Sequence, residues 1–285
     1  MKLFNKVLKI CTTVFVVLLL AVYMLFVYFS SPKSDDEIYE SFYEVGVEVS
    51  IAKNTFRDFK YRTVSLQKAI DTNKTTLVFV HGAIGSAIDF KSYMTDSLMR
   101  STFNMVSYDR VGYNYNDETL AQKSLKLEVD LLKDFTKNLN PKKTVLVGYS
   151  YGGPIVLAMK EKYKQIVLLA PAVYSKVEPM PFMLNFYTWK ITRWLVPHVW
   201  KSASLEKRTH KIELQKYEQN WKTNPSKIIA IHGDCDGIAP YENSLFLQGQ
   251  FPKNQFELKT INDAGHSLVW SNFQFIKKEL LTLTH

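Results

Sequence analysis

Three short stretches of this 285-residue chain carry residue types that could work together on an acyl carbon. The first is Gly148-Tyr149-Ser150-Tyr151-Gly152-Gly153, which follows the apolar run TVLV and precedes the helix-compatible PIVLAMKEKY. A serine on a tight strand-to-helix turn is exposed by strained backbone that leaves no room for side chains two residues to either side, and glycine fills both places. A serine hydroxyl is a weak nucleophile at neutral pH: it needs a base, and the base needs an acid to orient it. The second stretch, His232-Gly233-Asp234-Cys235-Asp236-Gly237, follows KIIAI; the third, Asp263-Ala264-Gly265-His266-Ser267, follows the last strand-like run. The chain order Ser, Asp, His, each in a loop after a strand, supplies nucleophile, acid and base. At this point Asp234 and Asp236 both remain candidates for the acid.

The elements that must hold these loops are legible as alternation. Residues 76–80, 103–108, 144–147, 165–169 and 227–231 read as buried strands, and 47–65 and 255–260 as flanking ones. Between two of them Leu125, Val129, Leu132, Phe135 and Leu139 fall on one helical face, with Lys126, Asp130, Lys133 and Lys137 opposite. Strands alternating with helices predict a mostly parallel central sheet flanked by helices. Residues 176–225 break the alternation. They begin with Pro179 and Pro181, then carry Leu184, Tyr187, Ile191, Trp194 and Leu195 at helical spacing, and are expected to form an inserted helical cap. The expected organisation is therefore an N-terminal anchor and flank (1–33), a polar tether (34–46), a core in two parts (47–175 and 226–285) and the cap (176–225).

Taken together these motifs resemble the α/β-hydrolases, from about residue 47 to the C-terminus. His81-Gly82-Ala83-Ile84-Gly85-Ser86 is similar to the family's oxyanion loop after its third strand. Asp109-Arg110-Val111-Gly112-Tyr113 resembles the loop after the next strand, with Val111 where many relatives have Pro and Asn114 where they have Gly. The family's G-x-x-D-x-x-x-P acid loop matches Gly233, Asp236 and Pro240, which favours Asp236 over Asp234. The resemblance implies a Ser150–His266–Asp236 triad, an acyl-enzyme, and an oxyanion hole from the backbone N–H groups of Ala83 and Tyr151. It implies no metal and no organic cofactor. His81 and His232 are expected to brace loops, His198, His210 and His285 to be surface or cap residues, and Asp89 and Asp109 to cap loops.

Composition narrows the partners. The chain is 46% hydrophobic and 22% charged, as globular proteins are, and its two cysteines, Cys11 and Cys235, are too few for a disulfide framework or a four-cysteine zinc site. The net charge of +9 is regional: residues 1–33 carry Lys2, Lys6, Lys9 and Lys33 without an acid, and the cap carries an excess of Lys and Arg over Glu. The remaining chain is balanced, which argues against nucleic acid. Residues 10–29 hold no charge and match the ~30 Å bilayer core, with lysines before and Asp35, Asp36 and Glu37 after. That pattern predicts an uncleaved single-pass anchor with a cytoplasmic N-terminus and an extracytoplasmic catalytic domain; a cleaved signal peptide is the rival, although no small-x-small cleavage site stands there. Four of five tryptophans, Trp189, Trp194, Trp200 and Trp221, lie in the cap. With Phe186 they predict an apolar acyl pocket, for which Ile84, Tyr149, Phe186, Trp189 and Trp194 are the candidates. The expected substrate is a small-molecule or lipid carboxylic ester, in the manner of a lipase, lysophospholipase or monoacylglycerol hydrolase, with no obligate protein partner. An aminopeptidase or amidase using Glu178 or Glu206 to hold an amine, an acyltransferase, and an inactive membrane-anchored binding protein are the alternatives.

Overall fold

The strand-like runs pair into one eight-stranded sheet in a computed structural model of the chain, which describes residues 2–67, 69–115 and 119–284. An antiparallel hairpin of β1 (Ser50–Phe56) and β2 (Phe59–Ser65) forms one edge, with β2 antiparallel to its other neighbour. The rest is parallel: β3 (Thr75–Val80), β4 (Phe103–Tyr108), β5 (Thr144–Tyr149), β6 (Gln165–Leu169), β7 (Ile228–Gly233) and β8 (Phe256–Ile261). The order is β1-β2-β4-β3-β5-β6-β7-β8. After β3 the chain steps outward to β4, then crosses back to place β5 on the other side of β3. The loops leaving β3 and β5 therefore diverge at the carboxyl edge, where open α/β sheets form a crevice.

Alternation along the buried strands divides the core into two layers. Val78 and Val80 face one side of the sheet; Leu77 and Phe79 face the other. The helices are α1 (Lys2–Ser30), α2 (Asp35–Tyr43), α3 (Lys91–Thr95), α4 (Ser97–Thr102), α5 (Leu125–Thr136), α6 (Gly152–Leu157), α7 (His198–Tyr217), α8 (Glu242–Gln250), α9 (Leu268–Ser271) and α10 (Phe273–Leu281). The Val78 layer receives Leu131 and Leu132 of α5, Ile155 and Val156 of α6, Leu214 of α7 and Leu247 of α8. The Leu77 layer receives Ile38 and Phe42 of α2, Tyr93 and Met94 of α3, Met99 of α4, Leu268 of α9 and Ile276 of α10.

Three sequence expectations need correction. The stretch read as a polar tether contains α2, opened by a capping box in which Ser34 Oγ accepts from Glu37 N and Glu37 accepts from Ser34 N. Its two fully buried side chains, Ile38 and Phe42, contribute roughly 1.5–3 kcal/mol each by leaving water. On α5 the buried face is rotated: Glu128 and Leu131 are fully buried, Val129 and Phe135 lie at the margin, and Leu139 falls beyond the helix. In the segment between β6 and β7, residues 184–195 are not one α-helix. They form short 3₁₀ turns at Phe182–Tyr187 and Arg193–Leu195, because side chains take the carbonyls a helix would use: Thr192 Oγ1 donates to Phe186 O at 2.7 Å and Arg193 Nε to Tyr187 O at 2.8 Å. Regular helix begins only after Pro197, with α7.

The long α1 stands apart from the layers. Leu3–Ser30 is long and apolar enough to cross a membrane, and none of its apolar window is buried in the protein. Its last turns touch α7: the Phe26 and Trp200 rings are 5.7 Å apart, and Trp200 Nε1 donates to Ser30 Oγ at 3.0 Å.

A buried ion network joins α7 to the sheet. Arg110, after β4, is fully buried and forks onto Glu206 of α7 at 2.8 and 3.0 Å, while Tyr113 Oη donates to the same carboxylate at 2.7 Å. Glu128 of α5 lies 3.8 Å from Arg110, and its oxygens have no hydrogen-bond partner among the described residues. One guanidinium thus faces two carboxylates. Burial, offset in part by Arg110 and reinforced by Glu206, raises the Glu128 carboxyl to about 7. The unfolded carboxyl releases its proton near 4.5, so between that pH and 7 the unfolded chain is ionised while the folded one keeps the proton. Folding therefore carries a penalty that grows through this window and stays constant above it. Glu128→Gln should stabilise the detergent-solubilised protein by ~1–3 kcal/mol at pH 8, with the gain gone by pH 4, in melts followed by circular dichroism. A loss of stability at pH 8 would show instead that Arg110 needs the second negative charge.

Candidate active site

Ser150 follows β5 with a φ of 52°, a left-handed conformation rarely taken by a residue with a side chain. Neighbouring backbone holds it there: Ser150 N donates to Leu169 O at 2.9 Å, and Ser150 O accepts from Gly153 N at 2.9 Å and Ala172 N at 3.2 Å. Two glycines make the turn possible. A side chain on Gly152 would run into the Val80 carbonyl at the end of β3, and a Cβ on Gly82 would stand 2.9 Å from Ser150 Cβ.

The three loops converge. Ser150 Oγ lies 2.9 Å from His266 Nε2, and His266 Nδ1 lies 2.7 Å from Asp236 Oδ2. The other oxygen of Asp236 accepts from Ile238 N at 2.8 Å and Ala239 N at 2.9 Å. Burial alone would push this carboxyl up, but hydrogen bonds from His232 and His266 hold it below the usual carboxylate range. Asp234 is exposed and accepts from Asp263 N, at 2.8 Å, so it pins the two loops to each other and does not reach the imidazole. His232 braces the acid loop: its Nε2 donates to Ala239 O at 2.8 Å and approaches Asp236 Oδ2 at 3.3 Å, and its Nδ1 meets Ser244 Oγ at 2.7 Å. Tyr149 packs its ring on His266, with centroids 5.1 Å apart, and donates to His266 O at 2.9 Å. Cys235 is exposed, and its hydrogen bond to Asp234 raises the thiol above its ordinary range, which disfavours a thiolate.

The loop after β3 lies across from Ser150. Its residue Ile84 adopts φ 58°, and no acceptor takes the backbone N–H of Ala83 or Tyr151 among the described residues. His81 sits beneath: Nδ1 donates to Gly82 O at 2.7 Å while Nε2 accepts from Arg110 N at 3.0 Å, a neutral tautomer that burial favours by lowering the ring's basicity. Asp109 and Asp89 serve the loop too, accepting from Ala87 N at 2.7 Å and Ser86 N at 3.2 Å.

These groups open into a cavity of about 500 Å³. Ala83, Ile84, Tyr149, Ser150, Tyr151 and His266 all line it, but Phe186, Trp189 and Trp194 do not. Phe186 instead lines a separate apolar cavity of about 240 Å³ with Tyr23 and Phe26 of α1. Trp189, between the two 3₁₀ turns, is 45% exposed and packs on Phe182 and Phe186, and Trp194, within the second, is 72% exposed. The tryptophans that line the cavity are Trp200 and Trp270, and Trp270 Nε1 donates to Asp89 O at 3.0 Å. Trp270 lies on α9, four residues past His266, and Trp200 is one of the tryptophans whose concentration in 176–225 pointed to an apolar pocket. His210, expected to be a surface or cap residue, lies on α7 within 176–225 and is buried against Tyr151 with ring centroids 4.5 Å apart; it also lines the cavity. His285 lies outside the described residues. Glu206, one of two acids considered for holding an amine, is consumed by Arg110. Among the described residues no group of three or more His, Cys, Asp or Glu could hold a metal ion.

Two substitutions check this geometry through initial rates on a short soluble ester. Asp236→Asn should lower kcat on the order of 10⁴-fold, because an amide cannot enforce the same imidazole tautomer, whereas Asp234→Asn should stay within a few-fold of wild type. Gly82→Ala should displace the loop facing Ser150 and cost ~10²-fold or more in kcat while the protein still folds.

Comparison with known proteins agrees with this architecture. A family model described as alpha/beta hydrolase fold matches residues 75–213. The uncharacterized hydrolase YugF of Bacillus subtilis (strain 168) is 30% identical over 112 residues, a stretch covering 36% of this chain and only 39% of that relative. Among solved structures, a membrane phospholipase A described as a bacterial virulence factor aligns over 99% of this chain and 98% of its own, at 12% identity and a TM-score of 0.64. A proposed lipase from Acinetobacter baumannii AYE aligns over 88% and 97%, at 16% identity and 0.62. The thioesterase domain of the curacin biosynthetic pathway aligns over 82% and 99%, at 12% identity and 0.60. At such identities the structural likeness speaks for the fold alone. Sheet order, the loops gathered at the carboxyl edge and the matched family model agree, and the chain has the α/β-hydrolase fold.

Proposed function

We propose that this hydrolase is a serine esterase, anchored in a membrane by α1, that cleaves carboxylic esters with apolar acyl groups. The observation that carries the reading is the hydrogen-bonded series Ser150 Oγ, His266, Asp236 at the floor of a largely apolar cavity. Ser150 attacks the ester carbon as His266 Nε2 takes its proton. Asp236 holds the Nδ1–H tautomer and stabilises the imidazolium. Negative charge then develops on the carbonyl oxygen, and the N–H groups of Ala83 and Tyr151 receive it, at roughly 3 kcal/mol per donor. Collapse expels the alcohol with the proton from His266. Water, deprotonated by the same imidazole, releases the acid from the acyl-enzyme.

Two further points support a lipid-like ester. The cap residues Met180, Phe182, Met183, Trp189, Ile191 and Trp194 are exposed and apolar, on the segment that touches the end of α1. Lys190 and Arg193 stand among them, a combination suited to a lipid interface. The fold is also shared with a protein described as a membrane phospholipase A. We read residues 1–33 as a single-pass anchor with its N-terminus in the cytoplasm, and 176–225 as the cap.

A fluorophosphonate probe should label the wild-type protein and not Ser150→Ala, which should retain its fold and lose hydrolysis of p-nitrophenyl esters by ~10⁴-fold or more. Equal labelling or equal rates in the two proteins would defeat the assignment. After alkaline carbonate extraction the full chain should stay with membranes, and protease added outside intact spheroplasts should reach the catalytic domain. A protein found soluble and beginning near Ser34 would mean that α1 is a cleaved signal.

A further inference from the structure

Three polar side chains on the wall of the Ser150 cavity take no part in the acyl-transfer steps. Glu178, Lys207 and His210 line it, with side-chain exposures of 2%, 14% and 3%. Glu178 Oε1 pairs with Lys207 Nζ, but Oε2 has no hydrogen-bond partner among the described residues. His210 Nε2 meets the Ala172 carbonyl at 3.0 Å, and because a carbonyl only accepts, that nitrogen carries the hydrogen. Burial lowers the imidazole to about 4, so the ring is neutral at pH 7 and Nδ1 presents a lone pair. Nδ1 also lacks a partner and stands 4.0 Å from Glu178 Oε1. A buried acceptor left unsatisfied costs ~1–3 kcal/mol. Two such acceptors together on a cavity wall mark a place where a ligand donates.

Charge narrows the donor. An ammonium group drawn to Glu178 would meet the ammonium of Lys207 beside it. A phosphate or carboxylate would meet the Glu178 carboxylate, with Lys207 already paired. A neutral hydroxyl suits all three groups: its O–H donates to Glu178 Oε2 or His210 Nδ1, and its oxygen accepts from a remaining N–H of Lys207. Neighbouring hydroxyls would use both acceptors. Of the rest of the wall, Ile84, Met183, Leu184, Ala203 and Ile238 are apolar, Ser150 and His266 serve the acyl transfer, and Asp89, Tyr149 and Trp270 already hydrogen-bond to Ser86 N, His266 O and Asp89 O. The geometry points to Glu178, Lys207 and His210 as a subsite for the uncharged, hydroxyl-bearing alcohol part of an ester, a glyceryl or similar polyol group; this rests on the serine-esterase reading above.

The test compares three esters of one acid on the full-length, detergent-solubilised protein: glyceryl monobutyrate, n-propyl butyrate and butyrylcholine. The acyl group is common, so ratios of kcat/KM isolate the alcohol. Wild type should prefer the glyceryl ester over the propyl ester by ~10-fold or more, as a hydrogen bond to a charged partner allows, and should handle butyrylcholine no better than the propyl ester. The double variant Glu178→Gln, Lys207→Met removes the pair without stranding either charge. That variant and His210→Phe should each bring the glyceryl-to-propyl ratio toward one, chiefly through KM. Fluorophosphonate labelling reports whether each variant keeps an intact site, and the wild-type ratios decide the matter if one does not. A wild-type ratio near one, a preference for butyrylcholine, or a ratio that survives in labelled variants overturns the subsite and leaves the esterase reading standing. Absence of both labelling and hydrolysis with every ester overturns both.

Discussion

Arg110 is the residue on which the site's surroundings lean. Its backbone N–H binds His81, its guanidinium reaches the Gly82 carbonyl at 3.3 Å and forks onto Glu206 of α7, and its planar face lies 4.6 Å from the Tyr151 ring centroid. The loop facing Ser150, the residue after Ser150 and α7 are thereby tied to one buried cation. A fully buried charge is tolerable only when its partners are rigidly placed, and removing one partner of such a pair typically costs ~3–5 kcal/mol. Position is therefore transmitted: a shift of α7 would move Arg110, and with it the loop that carries Ala83.

The strained turn at Ser150 depends on the same logic at shorter range. Its left-handed backbone is held by hydrogen bonds from β6 and the residues after it, and by glycines that let β3 and the following loop approach. Asp236 is likewise overdetermined. Two backbone N–H groups fix one oxygen, and two imidazoles address the other. His266 is then clamped from the side by Tyr149, which Trp270 meets edge-on at 5.6 Å. Preorganisation of this kind lowers the reorganisation that a charge-separating step would otherwise require.

Above this floor the cavity divides its chemistry. Apolar side chains from the segment between β6 and β7 and from the loops after β3 and β7 line much of the wall, and the Glu178–Lys207 pair with the neutral His210 imidazole adds a polar patch to it. Met183 and Trp200 border both this cavity and the smaller apolar one beside α1, so little more than two side chains separate the Ser150 site from the end of α1.

The local sequence determined the parts that obey local rules. Alternating strands and the glycines around Ser150 specified a parallel sheet with a tight turn at the end of β5, and the order of the Ser, Asp and His loops specified what could meet there. A hydropathy run specified α1 as a helix long and apolar enough to cross a membrane, which depends only on length and composition. Even α2 was announced by its capping box, although its polar residues disguised a helix that buries just two side chains. Tertiary structure decided everything that depends on which distant groups share a space. Asp236 rather than Asp234 reaches His266 because backbone donors turn its carboxylate inward. Trp189 and Trp194 face outward because side chains capture the carbonyls that would have made a helix there, while Glu178, which the sequence offered only as a holder for an amine, meets Lys207 and His210 on the cavity wall only once α7 is docked by Arg110. Periodicity and turn chemistry act over a few residues; burial of charge is settled by contacts almost a hundred residues apart, such as that between Arg110 and Glu206.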